Sequence, residues 1–480
     1  MSESLTVRSV FSGSVLLALA TCLWAQTPAT ETAPAVERRS ERPNVLFILA
    51  DDWGWGDLGC YGHQLLKTPS LDRMAQQGIR FAQFYVCSGV CSPSRTAFMT
   101  GQFPARLAIH GHLASPKQNA ARGMPNWLDP KVTTITRLMQ QAGYATAHFG
   151  KWHLGAGPDA PPPSAYGLDT TRTVNSSDPN GWEDMKDPYF RAHSTGYIVD
   201  ETLKFIESHR DRPFYVQDWI LLTHATLNPT EEQLKPFGRF SAEGVPFKSP
   251  AQIYYASAAS ADREIGRLLS RLDEMGLGEN TIVIFSSDNG PEDMSIRNAS
   301  HSGVGSAGPF RGRKRSLYEG GVRLPFIIRW PARVPAGKVD TTSVVSAVDF
   351  LPTICKLTGV PVPPGLDLDG QDMSAAWCGQ PQQRTKPLLW EWRFGIAGPV
   401  INKSPILAIR EGDWKLLLNP DHSRIELYDI PRDPSELNNQ AEHHPDVVDR
   451  LSRRALEWQK TLPKGPYDAD AGSNTYPWAW

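Results

Sequence analysis

Two short polar runs stand directly after the two most strongly apolar segments of the chain. Residues 44–50 (Asn-Val-Leu-Phe-Ile-Leu-Ala) precede Asp51-Asp52, and residues 281–285 (Thr-Ile-Val-Ile-Phe) lead to Asp288-Asn289. Continuous apolar runs of this kind are typical of strands that are buried on both faces. Because ligands gather outside the carboxyl ends of strands in an open α/β sheet, we expect the two polar runs to meet there.

Three carboxylates in one cleft repel one another unless a cation offsets their charge. All the candidate ligand atoms are oxygens, so a hard cation fits, with Ca²⁺ favoured over Mg²⁺. Asp and Asn also favour turns and helix caps after strands, which explains either pair alone about as well. Since the pattern occurs twice, a hard-cation site formed by Asp51, Asp52, Asp288 and Asn289 is favoured over this explanation.

A second chemical feature is the segment Cys91–Arg95, which reads Cys-Ser-Pro-Ser-Arg. Pro93 suits the first position of a helix and Gly101 suits its end, so we expect Cys91 just before a helix N-terminus. Free backbone N–H groups and the helix dipole favour an anion there, and Arg95 adds donors that can hold a sulfate or phosphate. Locally, Cys91 is a candidate thiol of low pKa, but a capped helix with a packed cysteine explains the segment as well.

Lys151 and His153 are two residues apart, and an extended backbone would direct both to one face, with Trp152 opposite in the core. His224 follows an apolar run that is typical of a strand and its exit. Weaker candidates for lining a substrate subsite are His110, His112, His301 and Trp182, of which Trp182 is the best candidate for stacking on a sugar ring.

The bulk composition of the 480 residues is globular, and the formal net charge of −2 gives no reason to expect nucleic acid as a partner. Residues 1–25 resemble a signal peptide, and 26–43 a flexible lead-in. We therefore expect export to the periplasm or the medium without stable membrane insertion; lipid anchoring through Cys22 is a weaker alternative. Five cysteines would remain after cleavage, and this odd number suggests that one thiol has separate chemistry.

Buried strands alternate with helical patterns, which predicts an α/β sandwich with a mostly parallel sheet over residues 44–370. The main helices are predicted at 70–77, 134–142, 197–207 and 253–275. Residues 155–189 are rich in Pro, Gly and Asp and predict a long loop. For residues 371–480 we predict a small α+β subdomain with an antiparallel sheet and a closing helix at 447–461.

Several motifs in register resemble the formylglycine-dependent sulfatases of the alkaline phosphatase superfamily, in particular the relatives of arylsulfatase A and N-acetylgalactosamine-6-sulfatase. Cys91-x-Pro-Ser-Arg-x-x-x-x-Thr-Gly matches the first signature of that family, and residues 143–153 match the second. The acidic pair after the first strand, the run Ser-Asp-Asn-Gly at 287–290 and Gly-x-Lys314 before Glu-Gly-Gly at 319–321 follow in the family's order.

The resemblance implies an alkaline-phosphatase-like sandwich in which a maturation enzyme oxidises Cys91 to formylglycine. An oxygen on residue 91 would then join the four Ca²⁺ ligands. Arg95, Lys151 and Lys314 would neutralise the sulfate, His224 or Lys314 would give a proton to the leaving alcohol, and His153 would accept one. The assignment of His224 is the least direct, because the proline that often follows this histidine is displaced to Pro229.

The function implied is hydrolysis of sulfate esters, on a carbohydrate or glycosaminoglycan-type substrate. One alternative keeps the fold and the nucleophile but acts on phosphonate monoesters or phosphodiesters. Another is a catalytically silent, Ca²⁺-dependent glycan-binding protein, which would have no need of a modifiable cysteine. The first alternative is separated by comparing aryl sulfate with aryl phosphodiester, and the second by the chemical state of Cys91.

Overall fold

The structure, a computed structural model, describes residues 42–182, 186–245, 247–296, 299 and 301–474. The predicted signal peptide and nearly all of the predicted lead-in lie outside the described residues, so both stay predictions. No helix in the described part of the chain is long and apolar enough to cross a membrane.

A nine-stranded sheet forms the centre of the fold. Its strands are β1 Asn44–Ala50, β2 Ile79–Tyr85, β3 Ala145–Lys151, β4 Thr170–Val174, β5 Phe214–Trp219, β6 Thr281–Ser287, β7 Arg323–Arg329, β8 Lys338–Asp340 and β9 Val345–Ser346. The spatial order is β4-β3-β5-β1-β6-β7-β2-β8, and β9 pairs with β2. Only β7 is antiparallel to its neighbours among these described strands.

Strand β1 explains why the sheet is covered on both faces. Every residue of β1 is buried, and successive side chains point to opposite faces. Alternate residues from Val45 to Leu49 pack into one hydrophobic core, while those from Leu46 to Ala50 pack into the other. In the register, Ala50 lies opposite Ser287 and Leu49 opposite Trp219, so β1, β5 and β6 end at one edge.

Helices cover both faces of the sheet. The α-helices of the described structure are α1 Pro69–Gln76, α2 Cys91–Thr100, α3 Pro116–Ala121, α4 Ile135–Gln141, α5 Phe190–Ser208, α6 Glu231–Leu234, α7 Pro250–Glu274, α8 Glu319–Val322, α9 Phe350–Thr358, α10 Ser374–Trp377 and α11 Pro445–Lys460. Side chains of α1, α5 and α7 fill one core. Side chains of α2, α4 and α9 fill the other.

A second, antiparallel sheet follows, with the order β10-β11-β12-β13. Its strands are β10 Leu388–Glu391, β11 Leu407–Glu411, β12 Trp414–Leu418 and β13 Ile425–Asp429. Helix α11 covers it with Leu451, Ala455 and Trp458, in the same hydrophobic core as α2. The predicted fold class, a mostly parallel sheet flanked by helices with a small antiparallel C-terminal sheet, is confirmed.

Three local predictions were wrong. Helix α2 begins at Cys91 itself, with the extended residue Val90 as its N-cap, so Pro93 is the third helical residue and not the first. The segment 155–189 is not a pure loop, because β4 lies within it as the edge strand. Trp182 is only 8% exposed and its ring packs against Phe190, so it offers no open platform for a sugar.

A buried ionic network joins the second sheet to the turn after Lys314. The Lys415 ammonium on β12 donates to Glu319 Oε1 at 2.9 Å and forms an ion pair with Glu436 Oε1 at 2.9 Å, and all three side chains are excluded from solvent. Arg323 adds a contact of 3.1 Å to Glu319 Oε2. Removal of one partner from such a network would leave an uncompensated buried charge. Because Glu319 is the first residue of α8, the ion pair with Lys415 fixes α8 against the C-terminal sheet.

Asp218 on β5 is a buried carboxyl group whose only hydrogen bond in the described structure comes from the Thr202 hydroxyl, at 3.1 Å. Burial raises its pKa from 3.8 to about 7, although the Thr202 hydrogen bond opposes the shift. A carboxyl pKa that is raised on folding stabilises the protein fully below the unfolded pKa. That contribution is lost as the pH rises through the folded pKa.

We therefore predict that Asp218→Asn becomes progressively more stable relative to the wild type between pH 4 and pH 7. The amide retains the shape and the acceptor but never ionises, so the difference in unfolding free energy should grow by a figure on the order of 4 kcal/mol. Denaturant unfolding at several pH values measures it. A difference that does not change with pH would show that Asp218 ionises as readily in the fold as outside it.

Candidate active site

The two polar runs meet at the carboxyl edge of the sheet, as expected. The Asn289 amide donates to Asp52 Oδ1 at 2.7 Å, and the Asp52 backbone N–H donates to Asp288 Oδ1 at 3.3 Å. Asp51 follows β1 directly, and all four side chains are at most 1% exposed. Asp52 has a φ of 67°, a left-handed conformation that is uncommon outside glycine and is enriched at functional sites.

Two lysines neutralise the pair that follows β1. The Lys151 ammonium, at the end of β3, donates to Asp51 Oδ2 at 2.6 Å. The Lys314 ammonium donates to both oxygens of Asp52 at 2.7 Å. These charged hydrogen bonds replace the water that the carboxylates lose on burial.

Arg95 ties Asp288 to the strand that carries Lys151. Its Nε and Nη2 donate to Asp288 Oδ2 at 3.0 and 2.6 Å, and its Nη1 donates to the Lys151 carbonyl at 2.8 Å. Its guanidinium also lies 5.0 Å from the centre of the Trp219 ring. Arg95 is completely buried, so its three polar contacts fix one side chain between helix α2 and two strand ends.

Cys91 is the first residue of α2, one helical turn before Arg95, and is therefore on the same side of the helix. Its Sγ and one oxygen each of Asp51 and Asp288 lie within 4.8 Å of one another. The site thus combines a helix N-terminus, where an anion is favoured, with two carboxylates that need a cation.

The geometry revealed a carboxylate and a cation that the sequence reasoning missed. Glu292 Oε1 accepts from Arg315 Nη1 at 2.5 Å, and Glu292 Oε2 lies 3.4 Å from the Lys314 ammonium. Burial opposes ionisation of Glu292, but Lys314 and Arg315 outweigh it and lower the pKa to about 2. Two features of the sequence could have indicated these residues. Glu292 lies three residues after Asn289, and Arg315 directly follows Lys314.

Each carboxyl group of the cluster is paired with a cation. Four buried or nearly buried carboxylates face four cations, namely Asp51, Asp52, Asp288 and Glu292 against Arg95, Lys151, Lys314 and Arg315. Burial and the Asp51 charge together raise the pKa of Asp288 to about 8. Burial also disfavours the Asp51 carboxylate, but the attraction of Lys151, His224 and Arg95 prevails and lowers its pKa below the usual range.

Two buried oxygens in this cluster have no hydrogen-bond donor in the described structure, Asp51 Oδ1 and Asn289 Oδ1. Unpartnered buried acceptors are rare, because each forfeits its hydration without compensation. Both belong to the predicted ligand set, whose donors are carboxylate and amide oxygens. This donor set fits a hard cation such as Ca²⁺.

The two histidines at the site are neutral at pH 7. Burial, together with Lys314 and Lys151, lowers the pKa of His224 to about 4, and burial with Lys151 and Arg95 lowers that of His153 well below 6.5. His224 Nδ1 lies 2.8 Å from the Ala225 carbonyl and must donate to it, so the Nε2, 4.0 Å from Asp52 Oδ2, is the unprotonated nitrogen.

His153 does not sit on an extended backbone beside Lys151, as the sequence pattern predicted. Its φ is 55°, because the chain turns after β3 ends. Its Nε2 lies 3.1 Å from the Leu113 carbonyl, so the buried Nδ1, which has no partner among the described residues, carries the free lone pair. Trp152 is buried in the core, as predicted.

The remaining candidates divide into near and remote groups. The His112 ring lies 6.5 Å from the His153 ring, and its pKa falls to about 3 through burial and the neighbouring Arg122. His110 instead lies 3.2 Å from Glu391 on β10. The structure does not bring His301 into a contact with the acidic cluster among the described residues.

The odd number of cysteines does not single out Cys91. The five cysteines in the described structure are all unpaired. Burial raises the pKa of the thiols of Cys60, Cys87 and Cys355 to about 12 and raises that of Cys378. What distinguishes Cys91 is its place among Arg95, Asp51 and Asp288.

Buried cations and carboxylates thus surround a helix-terminal residue, an arrangement that can bind an anionic group. The chain belongs to the sulfatase family: the Sulfatase family matches residues 43–360, and the family described as N-sulphoglucosamine sulphohydrolase, C-terminal, matches residues 308–461. Members of this family are sulfuric ester hydrolases of the alkaline phosphatase superfamily.

Individual relatives agree over most of their length. The chain is 31% identical to N-acetylgalactosamine-6-sulfatase of Canis lupus familiaris, over 88% of this chain and 87% of the relative. It is also 31% identical to arylsulfatase A of Homo sapiens, over 86% and 87%. The crystal structure of Ps i-CgsB in complex with k-i-k-neocarrahexaose superposes with a TM-score of 0.74 at 25% identity, over 90% of this chain and 97% of the other.

We predict that Arg95→Lys lowers kcat/KM for an aryl sulfate by at least about 100-fold. Lysine retains the charge, but its single ammonium cannot donate to Asp288 and to the Lys151 carbonyl in the same fork geometry. Steady-state kinetics measure the effect, and Arg453→Lys on the exposed side of α11 is the control. An Arg95→Lys enzyme as active as this control would show that charge alone matters there.

Proposed function

We propose that the chain hydrolyses sulfate esters on a carbohydrate or glycosaminoglycan-type substrate, with residue 91 converted to formylglycine and with one bound Ca²⁺. The observation that carries the proposal is the position of Cys91 at the start of α2, where its Sγ and the carboxylates of Asp51 and Asp288 lie within 4.8 Å of one another. Arg95 fixes this arrangement through its bonds to Asp288 and to the Lys151 carbonyl.

The glycan class is supported by the relatives. One carries N-acetylgalactosamine-6-sulfate chemistry in its name, and one structural neighbour is a complex with k-i-k-neocarrahexaose. We further propose that the enzyme acts outside the cytoplasm, on the strength of the signal-like residues 1–25. An exported enzyme would meet sulfated glycans that do not enter the cell.

The metal would be held by Asp51, Asp52, Asp288 and Asn289, two of which present the unpartnered oxygens described above. Bound Ca²⁺ would add positive charge next to the sulfate, and formylglycine hydrate would supply an oxygen nucleophile at residue 91. The conversion of the Cys91 thiol to the aldehyde is an oxidation, for which a separate maturation enzyme must provide the oxidant. The chain's own residues then bind the ester and move protons.

Binding of the sulfate falls to the cations. The Lys151 ammonium lies 2.6 Å from Asp51, and the Lys314 ammonium lies 2.7 Å from Asp52. A sulfate bound by both lysines would accept hydrogen bonds from their N–H groups. Charge on the sulfate oxygens is strongly stabilised there, because the donors are already oriented before the reaction.

Proton transfer divides between Lys314 and His153. Burial opposes the charge on Lys314, but Asp52 and Glu292 outweigh it and raise its pKa, so Lys314 carries the proton that a leaving alkoxide needs. His224 is neutral and its Nε2 carries no proton, so that nitrogen has none to give to the leaving group. His153, also neutral, offers the free lone pair of its Nδ1 to accept a proton from residue 91.

We predict that the wild-type enzyme turns over an aryl sulfate with a higher kcat/KM than the matching aryl phosphodiester. Cys91→Ala should abolish both activities, because alanine cannot be converted to formylglycine and the nucleophile is lost, while the melting temperature changes little. Cys378→Ala, which removes a half-buried thiol outside the cluster, is the control. Faster turnover of the phosphodiester would contradict the proposed sulfate ester substrate. Activity in Cys91→Ala would contradict residue 91 as the source of the nucleophile.

Mass spectrometry of the peptide that contains Cys91 completes this test. Protein produced together with a formylglycine-generating enzyme should carry the aldehyde at residue 91, and its turnover should rise in proportion to the converted fraction. An unmodified thiol in fully active protein would contradict the proposed chemistry. A thiol in protein that binds sulfated glycans without turnover would favour the silent binding protein.

A further inference from the structure

A cavity of about 310 Å³ opens beside the catalytic cluster. Asp51, Lys151 and His224 line it on the side of the cluster. Its other lining includes Asn175 and Arg191, neither of which the proposed reaction uses. The volume is at the lower end of the range for small-molecule pockets, so a sugar whose sulfate lies on Lys151 would bring its ring toward these two residues.

Arg191, the second residue of α5, is held in place but only partly satisfied. Its Nη1 donates to the carbonyls of Leu221 and His224, both at 3.1 Å. Its Nε and Nη2 have no partner among the described residues, and no described carboxylate lies within 4.0 Å of the guanidinium. A guanidinium has five donors in a fixed fork that matches a carboxylate or a sulfate, so donors remain for a ligand.

The ion pairs of the site point the same way. Each carboxyl group of the catalytic cluster lies next to its own cation, and none of them pairs with Arg191. Its burial lowers its pKa, and Asp51 and Asp52 offset this only in part. The guanidinium of Arg191 is half-buried, and its hydrogen bonds in the described structure go only to neutral carbonyls. A bound anion would supply the missing acceptors and the opposite charge.

Asn175 is placed to complete the subsite. Its backbone adopts a φ of 55°, and its carbonyl accepts from the His153 backbone N–H at 3.2 Å, so it is anchored beside a residue of the catalytic cluster. Its side chain is exposed and forms no hydrogen bond with any described residue. An amide in that position can bind a sugar hydroxyl in either direction.

We propose that Arg191 binds a second anionic group, a carboxylate or a further sulfate, on the sugar that carries the scissile sulfate ester. This inference rests on the proposed sulfatase function and adds the substrate class, a glycan residue with at least two negative charges. Arg191 contacts the substrate away from the reacting atoms. Its contribution should therefore appear mainly in KM and hardly in kcat.

The test compares three monosaccharide substrates with the same scissile sulfate. One has no further charge, one carries a second sulfate, and one carries a carboxylate. The wild type should prefer one of the two dianionic esters over the ester without a further charge by about 10- to 100-fold in kcat/KM, the effect of a charge-assisted hydrogen bond. Arg191→Met should lose that preference through KM, Arg191→Lys should keep part of it, and the control Arg453→Met should keep it in full.

Equilibrium binding of the same three compounds to the Cys91→Ala protein separates the two proposals. If Arg191 recognises the second anion, the affinity preference should be present in Cys91→Ala and lost when Arg191→Met is added, even if the wild type hydrolyses no sulfate ester. The dianionic ester that binds more tightly than the ester without a further charge shows whether Arg191 recognises a sulfate or a carboxylate. Equal kcat/KM and equal affinity for all three compounds, or a preference that survives Arg191→Met, would overturn the inference while leaving the sulfatase function intact.

Discussion

The site depends on one constraint, the need to compensate buried carboxylates at the end of a parallel sheet. Asp51, Asp52 and Asp288 are almost fully excluded from water, and an isolated ionised carboxylate would be very costly there. Three cations from different parts of the chain offset this cost by pairing with the carboxylates, namely Lys151, Lys314 and Arg95. The same cations are the groups that a sulfate needs, so the stability of the apo site and recognition of the substrate have one physical origin.

This compensation requires accurate placement of distant segments. The register of β1 with β5 and β6 brings the strand ends together, and α2 delivers Arg95 between them. The C-terminal sheet contributes from a distance, because Lys415 anchors Glu319 at the start of α8. The turn that precedes α8 carries Lys314. The antiparallel sheet therefore supports the catalytic cluster without contributing a residue to it.

Strands and site residues could be predicted from the sequence where the local pattern of residues determines them. The bounds of β1 match the prediction because a continuous apolar run is bordered by polar residues, and the motifs located the acidic pairs, Cys91 and Lys314. Strand β4 was missed because it is a polar edge strand, Thr-Thr-Arg-Thr-Val. Glu292 and Arg191 were missed because their significance lies in contacts across space. His153 was given the wrong backbone because local spacing cannot show a left-handed turn.

Calcium binding tests the central claim most directly. Isothermal titration calorimetry of the wild-type protein should show one bound Ca²⁺ per chain, since Asp51 Oδ1 and Asn289 Oδ1 are buried oxygens without a hydrogen-bond donor in the described structure. Asp288→Asn should weaken that binding by about two orders of magnitude, as expected when a charged ligand is removed, whereas Asp449→Asn on the surface of α11 should not. Absence of binding, or equal binding by Asp288→Asn, would contradict the account.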